Sequence, residues 1–145
     1  MIARLIITAM VALSLSGHAH AGTLEIAKRY IGLSETKHRK QLKALIGVDP
    51  RRTPWCGAYL TAVIRKAGKR PPRGSFMAAS WLGYGKAVRL SQARPGDIVV
   101  VRSVRNHVGI FHHRQAGKVC LVSGNSRNAV RIGCYPASRV KGVRR

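Results

Sequence analysis

Pro95-Gly96-Asp97-Ile98-Val99-Val100-Val101-Arg102, then Asn106-His107-Val108-Gly109-Ile110-Phe111-His112 after a three-residue gap, is where the pattern of this chain changes. A Pro-Gly-Asp turn leads into a run of β-branched residues, the composition of strands rather than helices. Working toward the C-terminus, Lys118 to Ser123 and Val130 to Cys134 repeat that pattern, with Gly, Asn and Ser at the bends. Working toward the N-terminus, the spacing is helical. Leu24, Ala27, Tyr30 and Ile31 follow Thr23 as a cap; Leu42, Leu45 and Ile46 lie on a helix opened by Ser34 and stopped by Gly47. Pro54 starts a third helix whose apolar face is Tyr59, Leu60, Val63 and Ile64, and Ser75 opens a short one over Phe76 to Gly83. Helices first and an antiparallel sheet second define an α+β domain, N-terminal helices packed on a C-terminal sheet.

Residues 1–21 read as a secretory leader. Arg4 precedes an apolar run from Leu5 to Leu15, and Ala19 and Ala21 form an A-x-A site with cleavage expected after Ala21. That run is too short to span a bilayer, so no transmembrane segment is expected after cleavage and the location is periplasmic or secreted. Residues 22–145 then suit one domain, expected to act as a monomer. The net charge is +23, or +22 without Arg4, against four acids, Glu25, Glu35, Asp49 and Asp97. Such a surface seeks polyanions. Outside the cytoplasm these are anionic envelope polymers, so no nucleic-acid partner is expected.

Cys56, in Thr53-Pro54-Trp55-Cys56-Gly57-Ala58-Tyr59, stands at a helix start, where unpaired N–H groups and the helix dipole favour a thiolate and supply an oxyanion site. Gly57 and Ala58 leave room there for a substrate backbone. His107 begins a strand from which it can reach such a helix end as a base. Asn125, in Ser123-Gly124-Asn125-Ser126, is placed to orient the imidazole. Taken singly, each of these residues fits a packing or turn role equally well.

Together, Trp-Cys-Gly-Ala-aromatic at a helix start, Pro-Gly-Asp-Ile-Val-Val leading into His-Val-Gly-Ile, and a later Gly-Asn resemble the CHAP branch of the NlpC-type, papain-like amidases and endopeptidases. The resemblance runs from about Ala27 to Arg144. It implies a papain-like fold and a peptidoglycan hydrolase, muramoyl-alanine amidase or stem-peptide endopeptidase, with Cys56 as nucleophile, His107 as base and acid, Asn125 as orienting residue, and no cofactor. Many NlpC-type relatives carry Asp-Cys-Ser/Thr-Gly and a histidine in third place, so their substrate contacts do not transfer. Trp55, Tyr59 and Trp81, with Tyr84, are candidates for lining a substrate groove, and core packing fits any one of them at least as well.

The remaining cysteines fit this division. A hairpin turning about Arg127 sets Cys120 opposite Cys134 and Val122 opposite Ile132, all on one face, so a Cys120–Cys134 disulfide is expected and Cys56 stays free. His112 and His113 beside Cys120 lack the spacing of a zinc site, and no metal is expected. The rival readings are a basic, non-catalytic module that binds wall or nucleic acid, and a nuclease. The second lacks the acidic cluster to hold a metal.

Overall fold

The computed structural model describes residues 22–145; the expected leader lies outside the described residues. Ile98-Val99-Val100-Val101 shows no alternation because it is buried on both faces. It forms β2 (Ile98–Arg102), an interior strand of a six-stranded antiparallel sheet. The other strands are β1 (Ala87–Val88), β3 (Asn106–Gln115), β4 (Lys118–Ser126), β5 (Ala129–Pro136) and β6 (Val140–Arg144), in the order β1-β6-β2-β3-β4-β5. The helices are α1 (Thr23–Lys28), α2 (Arg39–Ile46) and α3 (Cys56–Lys66), with short 3₁₀ turns at Ala78–Gly83, Leu90–Gln92 and Ala137–Arg139. The α+β class read from the sequence is the one found.

Each face of the sheet carries its own apolar layer. Ile98, Val100, Val108, Ile110, Val122 and Val130 pack under the helices with Ile26, Leu42, Trp55, Tyr59, Leu60 and Val63. Val99, Val101, Phe111, Val119, Leu121 and Val143 form the second layer, flanked by Val88, Leu90, Tyr135 and Val140. Helix α3 lies close on the sheet because Gly124 of β4 has no side chain. A Cβ there would sit 2.6 Å from the Tyr59 Cβ and 2.7 Å from the Trp55 ring.

Several boundaries differ from the sequence reading. Ser34 does not open α2, which begins at Arg39. Residues 32–34 instead run along the edge of β5: Gly32 N–H donates to Val130 O (2.9 Å), Val130 N–H to Leu33 O (2.8 Å), and Ser34 bridges Ala129. Thr23 lies inside α1, with Gly22 as the capping position. Ser75 does not cap a helix; its hydroxyl bonds Thr61 and its carbonyl accepts the Trp81 indole N–H. Strands β1 and β6 were not anticipated. Their short runs, Ala87-Val88 and Val140-Lys141-Gly142-Val143-Arg144, lack alternation and carry charges and a glycine. The Pro-Gly-Asp turn has a structural purpose: buried Asp97 accepts the Arg94 N–H and takes the Arg145 guanidinium with both oxygens, each at 2.8 Å.

The hairpin β4–β5 has the expected register, Cys120 opposite Cys134 and Val122 opposite Ile132, and the two sulfurs are bonded. Its turn is Arg127-Asn128, both left-handed at φ 49° and 61° as a two-residue hairpin loop requires. Just before it, the register shifts between Ser123 and Ser126, and Asn125 adopts φ 55° within that bulge.

Candidate active site

Helix α3 starts at Cys56, with Trp55 at its cap and no side chain closing the first turn, so its leading N–H groups remain available. The backbone N–H groups of Val108 on β3, of Gly57 and of Cys56 itself favour the charged form of the Cys56 sulfur. Cys56 as a whole is 7% exposed and is the free cysteine of the described chain. Its burial outweighs these donors and pushes its pKa above the ordinary thiol value, contrary to the lowered pKa expected from a helix start. Burial acts on His107 in the opposite direction, down to about 4. At neutral pH the thiol and the imidazole are therefore both uncharged.

His107 is half-buried at the start of β3. Strand parity turns Val108 toward the helices and His107 to the other face, with Gly109 and Phe111. There its Nε2 meets Ser123 Oγ at 2.9 Å, and its ring stands against Tyr135 with centroids 5.5 Å apart. Gly109 makes this possible: a Cβ on it would lie 2.9 Å from the Ser123 Cβ, filling the space across which the hydroxyl reaches diagonally to His107. The partner found on the imidazole is thus Ser123, where the sequence pointed to Asn125. The bulge explains the difference, because it breaks the alternation that would have carried Asn125 to the ring.

Cys56, His107 and Asn125 all line one cavity of about 780 Å³. Its other walls are Pro54, the β2–β3 turn Ser103-Val104-Arg105-Asn106, the β4–β5 turn Ser126-Arg127, and Arg131 to Tyr135 of β5. Among the described residues no hydrogen bond joins Cys56 to His107. With Nε2 held by Ser123, Nδ1 is the ring nitrogen left for proton transfer.

Two solved structures overlap part of this fold. The P60 domain of an antigen from M. avium paratuberculosis aligns with 63% of the chain at 16% identity and TM-score 0.46. A hypothetical invasion protein of Mycobacterium tuberculosis aligns with 63% at 19% identity and TM-score 0.47. The alignments span 62% and 42% of those chains, under two thirds of either. No family model and no curated protein matches the sequence.

The aromatic groove residues read from the sequence are not in the cavity. Trp55, Tyr59 and Trp81 are each at most 1% exposed. Their polar atoms are satisfied internally: Trp55 Nε1–H donates to Glu35 (2.7 Å), Tyr59 O–H to Ala27 O (2.8 Å) and Trp81 Nε1–H to Ser75 O (2.7 Å). All three are core residues. Nor does Gly57 admit a substrate backbone; its open side faces the chain itself, and a Cβ would lie 2.2 Å from Phe76 O. Ala58 is likewise buried. The aromatic wall of the cavity is Tyr135, which alternation along β5 places over His107; the sequence reading passed over it because it lies one residue beyond the expected strand end. His113 lies beside Cys120 and Cys134, and the bond between those sulfurs leaves no thiolate for a metal.

Proposed function

We propose that this protein is an exported cysteine hydrolase that cleaves an amide bond of peptidoglycan. The observation that carries the reading is the free thiol of Cys56, at a helix start and in a cavity shared with an imidazole whose Nε2 is hydrogen-bonded to Ser123. In the reaction, substrate approaches through the cavity, His107 Nδ1 takes the thiol proton and the sulfur attacks the amide carbonyl. The α3 N-terminal N–H groups stabilise the oxyanion, His107 returns the proton to the leaving amine, and water, activated by His107, releases the acyl group. In the third place Ser123, rather than the expected Asn125, orients the ring, and Asn125, on the cavity wall, faces the substrate side. The Cys120–Cys134 bridge is compatible with export.

The test is digestion of purified peptidoglycan by the protein lacking residues 1–21, with products identified by mass spectrometry. Soluble muropeptides or free stem peptides are expected from the wild type and none from Cys56→Ala, which still binds the wall. Equal activity in both proteins refutes the reading. Binding without digestion by either identifies a non-catalytic module instead.

A further inference from the structure

Three arginines frame the cavity, Arg105 in the β2–β3 turn, Arg127 in the β4–β5 turn and Arg131 on β5, and no carboxylate lines it. Every acid of the described chain is engaged elsewhere: Glu25 with Lys28, Asp49 with Arg39, Asp97 with Arg145, and Glu35 under the Trp55 indole. None of the three arginines forms an ion pair among the described residues. Their placement is not incidental to the fold. Arg127 occupies a left-handed turn position that Gly, Asn or Asp fills at lower cost. Arg131 stands directly across from Ser123, the residue that holds His107. Between Arg131 and Tyr135, Gly133 keeps the floor open.

The cavity also meets a strand edge. β5 is the last strand of the sheet, and the 32–34 segment covers it only around Val130. Beyond that point, from Ile132 to Cys134, it has no backbone partner on its outer side among the described residues. An extended peptide fits such an edge through its main chain, which neither a glycan nor a nucleic acid offers.

We propose that Arg105, Arg127 and Arg131 are the specificity determinants of this site and that they require free carboxylates on a peptide lying along β5. The proposal rests on the cavity being the substrate site. A guanidinium fork gives two parallel N–H donors to a carboxylate, whereas a carboxamide offers one neutral acceptor and an N–H₂ group that opposes the donors. Amidating the substrate therefore removes affinity without changing its shape.

Binding is measured by calorimetry on the full domain carrying Cys56→Ala, with a short peptide bearing two free carboxylates and with its bis-carboxamide twin. The acidic form is expected to bind at least about tenfold more tightly, the worth of one charge-assisted pair. Arg131→Gln should erase most of that preference, and Arg105→Gln and Arg127→Gln, at exposed turn positions, carry the test if Arg131→Gln fails to fold. Arg70→Gln, which removes the same charge from an exposed loop outside the cavity, should leave it unchanged. Equal affinity for the two peptides overturns the proposal. So does an equal loss in Arg70→Gln, which would assign binding to overall charge, or displacement of the peptide by a single-stranded oligonucleotide at comparable concentration. The two readings fail separately: an active-thiol protein that binds the acidic peptide but cleaves no amide sinks the hydrolase alone, and cleavage of both peptides with equal kcat/KM sinks carboxylate selection alone.

Discussion

Replacing Ser123 by alanine removes one oxygen from a fully buried site and leaves His107 Nε2 without its hydrogen-bond partner. In the ground state that bond joins two neutral groups, worth about 1 kcal/mol. When His107 takes the thiol proton the ring becomes an imidazolium, and a hydrogen bond to a charged group is worth about 1.5–3 kcal/mol. The difference, about 0.5–2 kcal/mol, falls on the transition state, and kcat should drop about 2- to 30-fold with little change in KM. The deleted oxygen leaves almost no cavity, so the unfolding free energy should fall by only about 1 kcal/mol. The assay is release of amine from a muropeptide across pH, with denaturant unfolding in parallel. Asn125→Ala is the comparison; it should raise KM more than it lowers kcat. If Ser123→Ala keeps full kcat while Asn125→Ala loses it, the ring is oriented by Asn125 during turnover and the role given to Ser123 is wrong.

Further tests follow from the geometry. Because burial raises the Cys56 pKa and lowers that of His107 to about 4, iodoacetamide should alkylate Cys56 slowly at pH 7 and faster as pH climbs past the ordinary thiol range. A rate already level from about pH 4 upward would instead reveal a thiolate–imidazolium pair. Gly57→Ala should destabilise the domain by about 2 kcal/mol or more in urea unfolding, since the new methyl meets backbone at Phe76 and outweighs any gain in helix propensity. An unchanged midpoint would mean that α3 shifts freely. Replacing Cys120 and Cys134 together by serine should cost about 3 kcal/mol, as expected for a loop of this length, while amide cleavage under native conditions persists. Loss of activity in a folded double variant would show that the bridge shapes the cavity wall through Cys134.

The class and the order of elements were legible because β2 to β5 and α3 carry strong local patterns. The cysteine pairing was legible because hairpin register is arithmetic once the turn is placed. Of the site, the sequence singled out Cys56 and His107, which the structure brings to one cavity, but not their surroundings. Aromatic residues near a nucleophile look the same in sequence whether they line a groove or fill a core; here internal acceptors such as Glu35 and the Ser75 carbonyl decide for the core. Ser123 was hidden because its partnership depends on β3–β4 register, on the missing side chain of Gly109 and on the bulge before Ser126. None of these is local. The thiol was misjudged for a related reason: helix starts are visible in sequence, whereas the depth at which one is buried is not.

Strand β6 lies between β1 and β2, yet it comes last in the sequence. As the chain emerges in order, β2 has β3 beside it early but its opposite flank stays bare until residues 140–144 arrive. A polypeptide stalled before that point presents an apolar strand with an unsatisfied edge, the condition for sticking to other chains. Completion of the sheet is thus deferred until the last segment appears, and Arg145 then latches it through Asp97.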